Sequence, residues 1–141
     1  IAPKYDERGG INGVLSSDIL KLMKDSDLMV ANSEFTVSNR GSKLPNKLYT
    51  FRAKPERLSI YSEMGVDMVT LANNHVYDYG LDAFNDMLDA FDEYKIPHIG
   101  AGHNIEEAKK PVPEAPKKEV EAEKVPETPK EPVKTENTSA I

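Results

Sequence analysis

Polar residues that could bind a cation follow two short apolar runs of the chain. Glu34 comes soon after the run at residues 28–31. The run at 66–72 leads directly into the other polar residues, which are Asn73, Asn74, His75 and Asp78. Hard divalent cations accept a mixture of carboxylate, amide and imidazole ligands. We therefore look for chemistry at these two places.

Each of these residues also has an ordinary structural explanation. Asn73 and Asn74 suit a turn, because asparagine tolerates left-handed backbone and hydrogen-bonds to neighbouring amides. Asp78 can cap the helix that follows, while Glu34 and His75 can be solvated loop residues. Residue types and spacing leave both interpretations open.

The elements that would position these side chains alternate along the chain. Apolar spacing and capping residues predict seven elements in this order: helix 17–24, strand 28–31, helix 55–64, strand 66–72, helix 81–93, strand 96–99 and helix 105–109. The apolar face of the 81–93 helix is predicted from Leu81, Phe84, Leu88 and Phe91. Both strand runs before 80 read as buried on both faces. Residues 39–54 read as a long irregular segment with room for one short extended piece around 48–51.

This alternation predicts an α/β fold with a parallel sheet. Open α/β sheets bind ligands beyond the carboxyl ends of their strands, so Glu34 and the Asn74–His75 pair should share one edge.

Composition limits the function classes. Cysteine is absent, so the chain holds neither a disulfide nor a thiolate site. No apolar run reaches the roughly 18 residues of a membrane span, and a net charge of −6 favours neither nucleic acid nor an acidic membrane surface. Residues 111–141 are rich in Pro, Glu and Lys without any Leu, Met or aromatic residue, which predicts a disordered tail after a domain at 1–110.

The chain contains three short motifs, which are, in chain order, Asn32-x-Glu34, Ala72-Asn73-Asn74-His75-x-x-Asp78-x-Gly80 and Gly100-Ala101-Gly102-x-Asn104. Together they resemble the bacterial capsule-synthesis family of the CapA/PgsA type, which is associated with poly-γ-glutamate biosynthesis. The resemblance covers about residues 17–111, and the segment Phe51-Arg52-Ala53-x-Pro55 also fits it.

The resemblance implies a partial calcineurin-like metallophosphatase fold with a two-metal site at strand ends. By this resemblance, Glu34 and Asn74 would bind a divalent cation (Mn, Zn, Fe or Mg). His75 would stabilise or protonate the reacting group, and Asp78 would orient His75. A bound cation of this kind lowers the pKa of its water and polarises the scissile group.

The chain departs from the family pattern in ways that bear on activity. Ser33 stands where the family usually has Leu, which should not move the Glu34 carboxylate. The family's opening strand ending in Gly-Asp does not occur before Ser17, and its later histidine motifs do not occur after Pro111. We therefore expect an incomplete metal site and no catalysis by this chain alone. A truncated product without function is one alternative.

A second alternative is a metal-independent binding module. Between residues 40 and 57 there are six basic residues and one acidic residue. They could hold the carboxylates of an anionic polymer, or they could simply balance the acidic residues of the 81–93 helix. The candidate substrate contacts are Asn32, Asn73, Arg40, Lys43, Lys47 and Arg52. The resemblance implies poly-γ-glutamate and other capsule-synthesis membrane proteins as partners, at an extracytoplasmic location on the bacterial cell surface.

Overall fold

The computed structural model describes residues 2–111. The tail predicted at 111–141 lies outside the described residues, apart from Pro111. The elements in chain order are α1 (Ala2–Glu7), α2 (Ser17–Asp25), β1 (Val30–Asn32), β2 (Thr36–Val37), β3 (Arg52–Ala53), α3 (Ser59–Met64), β4 (Met68–Thr70), α4 (Leu81–Glu93), β5 (His98–Ile99) and α5 (Ile105–Ala108), with 3-10 helices at Ile11–Gly13 and Pro55–Leu58.

The main sheet is parallel, with β4 between β1 and β5. Val30 lies opposite Met68, and Val69 lies opposite His98. Helices separate the strands in sequence, as parallel pairing requires. The predicted α/β fold is confirmed, and the carboxyl ends of β1 and β4 lie at the same edge.

Local signals at the helix ends are also confirmed. The Ser16 hydroxyl accepts a hydrogen bond from the Ile19 amide, and the Asn104 side chain accepts one from the Glu107 amide. Gly65 ends α3 with φ of 74°, a left-handed conformation that glycine adopts without a steric penalty.

Two strand predictions were wrong. The extended piece expected around 48–51 lies instead at Arg52–Ala53, where β3 pairs in parallel with β2, with Thr36 opposite Arg52. Strands of two residues are too short to show a period, so the sequence did not reveal this ladder. Strand β1 is not covered on both faces, since Val30 is 39% exposed.

The core forms between α4, β4 and the buried side chain of Val37 in β2. The predicted face of α4 was partly wrong, because Leu81 is 57% exposed whereas Ala83 and Met87 are fully buried. Leu88 and Phe91 are buried as predicted. The buried face of α4 therefore passes through Ala83 and Met87 rather than through Leu81, and the predicted pattern used neither residue.

Candidate functional site

The polar residues predicted at the strand ends lie together. We call this group the strand-end rim, and it consists of Asn32, Glu34, Asn73, Asn74, His75 and Asp78. Pairing of β1 with β4 continues beyond the strands, because the Ser33 amide donates to the Thr70 carbonyl at 3.0 Å. The Asn73 side-chain amide then donates to Asn32 Oδ1 and to the Ser33 carbonyl, both at 3.0 Å. These bonds hold the ends of the two strands side by side.

Asn73 also shapes the turn that presents His75. Its side-chain oxygen accepts a hydrogen bond from the His75 amide at 3.0 Å, which is the local bonding that asparagine provides in turns. Asn32 accepts from the Thr70 hydroxyl at 3.3 Å and donates to Glu34 Oε2 at 3.2 Å. Both asparagines thus have internal partners, and their predicted contact with substrate stays a prediction.

The His75 ring is held by Asp78 and Phe51, and Glu34 lies farther from it. Its Nδ1 lies 2.8 Å from Asp78 Oδ2, and its Nε2 lies 4.0 Å from Glu34 Oε1. The Phe51 ring packs on the imidazole with centroids 4.4 Å apart. The His75 side chain is only 10% exposed, whereas that of Glu34 is 52% exposed. The imidazole is therefore largely buried, with the half-exposed Glu34 near its Nε2 atom.

Asp78 is the fully buried anchor of the rim. It accepts hydrogen bonds from the Lys47 ammonium and from the Phe51 amide, the latter at 2.7 Å. Burial by itself raises the pKa of Asp78, but the hydrogen bonds from Lys47, His75 and Phe51 outweigh burial and hold this pKa below its ordinary value. Asp78 is thus ionised at neutral pH and can only accept, so His75 Nδ1 carries the hydrogen. The Nε2 atom is left facing Glu34.

Asn74 is exposed beside this pair. Its carbonyl accepts a hydrogen bond from Lys47, and the residue lines an open depression shared with Gly102 and Asn104. Its side chain is therefore accessible from solvent at the same edge as Glu34.

The donors at the rim fit a divalent cation in type but not in number. Glu34 and His75 Nε2 offer an oxygen and a nitrogen that face each other. Within residues 2–111, no group of three His, Asp or Glu side chains is arranged to hold a metal ion. Divalent cations take four or more ligands. The described residues thus do not form a complete metal centre.

Three of the four basic residues predicted to contact polymer have internal partners. Arg40 binds Asp86 through two hydrogen bonds of 3.0 and 2.5 Å. Arg52 donates to the Gly41 carbonyl at 2.9 Å and lies over the Tyr79 ring. Lys47 binds Asp78, whereas Lys43 is exposed. Their role toward a polymer stays a prediction, and for Arg40 the partner is an acidic residue of α4, as the balancing interpretation expected.

The Arg40–Asp86 pair should make a small, pH-dependent contribution to stability. Arg40 and the Ser38 hydroxyl hold the pKa of Asp86 below its ordinary value. We expect Asp86→Asn to lower the melting temperature by about 2–4 °C at pH 7, since Arg40 is exposed and the pair is screened. The difference should persist above pH 5 and shrink as the pH falls below about 4, through the lowered pKa of the folded state.

Thermal unfolding followed by circular dichroism from pH 2.5 to 7 measures this effect. Glu93→Gln removes the same charge from an exposed position on α4 and serves as the control. Equal shifts in the two variants at pH 7 would exclude a specific contribution from the pair.

Sequence reasoning missed the role of Phe51, which contributes both its amide and its ring to the rim. It also missed Thr36, whose hydroxyl donates to the carbonyl oxygens of His75 and Val76, each at 3.0 Å. The fit of Phe51-Arg52-Ala53-x-Pro55 to the family pattern was a signal for Phe51. No local pattern marks Thr36.

A parallel sheet with flanking helices and a buried Asp–His pair at its strand ends defines an α/β protein consistent with a partial calcineurin-like metallophosphatase fold. The chain belongs to the bacterial capsule synthesis protein family, described as PGA_cap, whose model matches residues 7–122. This family resembles metallophosphatases, and that resemblance suggests that its members use a metal ion. The family that the three sequence motifs indicated is therefore confirmed.

The relatives are named for capsule or polymer synthesis. The capsule biosynthesis protein CapA of Bacillus anthracis is 32% identical over 90 residues, covering 62% of this chain and 22% of that protein. The PGA biosynthesis protein CapA of Bacillus subtilis (strain 168) is 26% identical over 110 residues, covering 77% and 29%. A probable polyglutamine synthesis accessory protein of Mycobacterium tuberculosis is 26% identical over 80 residues, covering 57% and 21%. The chain thus matches between about a fifth and three tenths of each relative's length.

In the part of the chain that the structure describes, no helix has the length and apolar character needed to cross a membrane.

Proposed function

We propose that this chain is part of a protein of poly-γ-glutamate capsule synthesis, and that its strand-end rim supplies one side of that protein's reaction site. Family membership and the printed names of the relatives support the process. The observation that carries the site is the buried Asp78–His75 pair, which opens toward the half-exposed Glu34.

The residues of the rim have distinct roles in this proposal. Asp78 accepts the hydrogen bond from His75 Nδ1 and fixes the orientation of the ring. Carboxylates that hydrogen-bond to metal-binding histidines act in the same way. His75 Nε2 is then available to bind a cation or to exchange a proton with the reacting group. Glu34 places a negative charge opposite it.

A divalent cation (Mn²⁺, Zn²⁺, Fe²⁺ or Mg²⁺) at the rim would take Glu34 and His75 from this chain, with the exposed Asn74 beside them. Two or three ligands are too few for a complete site, so its other ligands would come from outside the described residues. For this reason we expect the isolated chain to bind cations weakly and not to catalyse.

The same proposal places the whole protein at the bacterial cell surface. Its partners would be poly-γ-glutamate and the other capsule-synthesis proteins of the membrane. The names of the relatives support the polymer, since two of them are biosynthesis proteins for a capsule or for PGA.

Calorimetric titration of Mn²⁺ and Zn²⁺ into the chain tests the cation site. We expect weak binding of one cation per chain, and this binding should be lost in the Glu34→Ala, His75→Ala double variant. The control is the Glu93→Ala, His103→Ala double variant, which removes the same residue types from exposed positions. Circular dichroism establishes that all three proteins are folded. Binding that survives in the rim variant, or no binding to a folded native chain, would refute the proposed cation site.

A further inference from the structure

One lysine holds a loop against the strand-end rim. The loop comprises residues 44–51, and we call it the covering loop. At its start, the Leu44 amide donates to the Asp78 carbonyl at 2.8 Å. In its middle, the Lys47 ammonium donates to Asp78 Oδ1 and to the Asn74 carbonyl. The Lys47 side chain is 24% exposed, so most of it is covered by the rest of the chain.

The carboxylate that Lys47 binds is the one that orients His75. Asp78 Oδ1 receives Lys47, while Asp78 Oδ2 receives both His75 Nδ1 and the Phe51 amide. The Phe51 ring, at the end of the covering loop, packs on the imidazole. Asp78 therefore joins the loop to the imidazole.

Removing the Lys47 ammonium would free one side of this carboxylate. A buried carboxylate without a partner on one oxygen is costly, and it turns toward whatever donor or water it can reach. The hydrogen bonds on Asp78 Oδ2 would then lose their fixed geometry, and His75 and Phe51 would lose a common acceptor. The position of the imidazole thus depends on a lysine that does not contact it.

We propose that Lys47 is a positioning residue of this site: through Asp78, it holds His75 in one tautomer and one orientation and keeps the covering loop closed over the imidazole. The benefit of holding His75 in place rests on the proposed function. The contacts of Lys47 are observed whether or not that function is correct. The expectation that Lys47 also contacts polymer stays a prediction, and two of the three donors of its ammonium are already used within the chain.

Nuclear magnetic resonance of the full chain tests this role without metal or polymer. At pH 8, where ordinary imidazole is neutral, the nitrogen shifts of His75 report its tautomer. Hydrogen exchange of the Phe51 amide reports closure of the covering loop. In Lys47→Met, we expect mixed tautomers at His75 and exchange of the Phe51 amide faster by about tenfold or more, with exchange within α4 unchanged.

Two further variants distinguish positioning from a general loss of structure. Lys47→Arg keeps a charge and several donors, and it should restore the single tautomer and most of the protection. Lys54→Met removes an exposed lysine outside the covering loop and should change neither signal. A single His75 tautomer with full Phe51 protection in Lys47→Met would overturn the inference, as would equal effects in Lys54→Met. If Lys47→Met unfolds, the same measurements on Lys47→Gln, which keeps one donor group, decide the question.

These outcomes are separable from those of the cation titration. If the Glu34→Ala, His75→Ala variant binds cations as the native chain does, the proposed cation site is refuted. If Lys47→Met nevertheless changes the His75 tautomer, the positioning role is retained. Specific cation binding with an unchanged tautomer would do the reverse.

Discussion

Replacing Asp78 by alanine is expected to lower the free energy of unfolding by about 3 kcal/mol at pH 7. The change leaves the Lys47 ammonium, the Phe51 amide and the His75 ring without the acceptor that they share. The loss should lie at the lower end of the range for broken buried pairs, because Lys47 retains some access to water. Urea unfolding followed by circular dichroism measures it.

Two other variants calibrate this result. Asp78→Asn keeps the shape and one acceptor oxygen, so it should lose less stability than Asp78→Ala. Glu93→Ala removes an exposed carboxylate from α4 and should change the free energy of unfolding by less than about 0.5 kcal/mol. A loss below about 1 kcal/mol in Asp78→Ala would contradict the view that the rim depends on a buried charge.

If the expectation holds, the residue that orients His75 is also one on which the fold depends. Loss of activity in an Asp78 variant of the whole protein would then need a stability measurement beside it. The Lys47 variants avoid this ambiguity, since their signals come from His75 and Phe51 directly.

Replacing Phe91 by alanine is expected to cost about 3–5 kcal/mol, the largest effect of any single change considered. Phe91 is fully buried on α4, and its ring lies 6.3 Å from the ring of Tyr61 and 5.7 Å from that of His98. Truncation would therefore open a cavity between α3, α4 and β5. Domains of this size have about 5–15 kcal/mol of stability in total, so the loss should be a large fraction of the free energy of unfolding, which urea unfolding measures.

The matched control is Leu81→Ala on the same helix. Leu81 belongs to the face that the sequence pattern predicted as buried, but the residue is 57% exposed. We expect its loss to change the free energy of unfolding by less than about 1 kcal/mol. Equal losses in Leu81→Ala and Phe91→Ala would contradict the observed buried face of α4.

The rim combines rigid backbone with an accessible edge. Asn73 and the strand pairing fix the turn that carries His75, and Asp78 fixes the ring itself. Glu34 and Asn74 remain exposed at the same edge. Such an arrangement keeps a reacting group oriented while leaving space for a ligand, which is the property that a binding or catalytic site requires.

The sequence by itself determined the order of helices and main strands from α2 onward, the caps of α2, α3 and α5, and the family. Ser16, Gly65 and Asn104 act within a few residues of their own position, so their effect can be read locally. Polar residues after parallel strands of one sheet lie at the same edge, so a shared edge for Glu34 and His75 followed from the order of elements. That β1 and β4 are neighbours came from the structure.

Only the tertiary structure decided which partner each charged residue takes. Lys47 and Asp78 are 31 residues apart in sequence, and Arg40 and Asp86 are 46 apart. A basic segment looks the same in sequence whether its charges face solvent or bind buried carboxylates, because pairing depends on the path of the loop. The short β2–β3 ladder and the buried face of α4 have the same origin: each is set by packing between distant segments, and no local period records it.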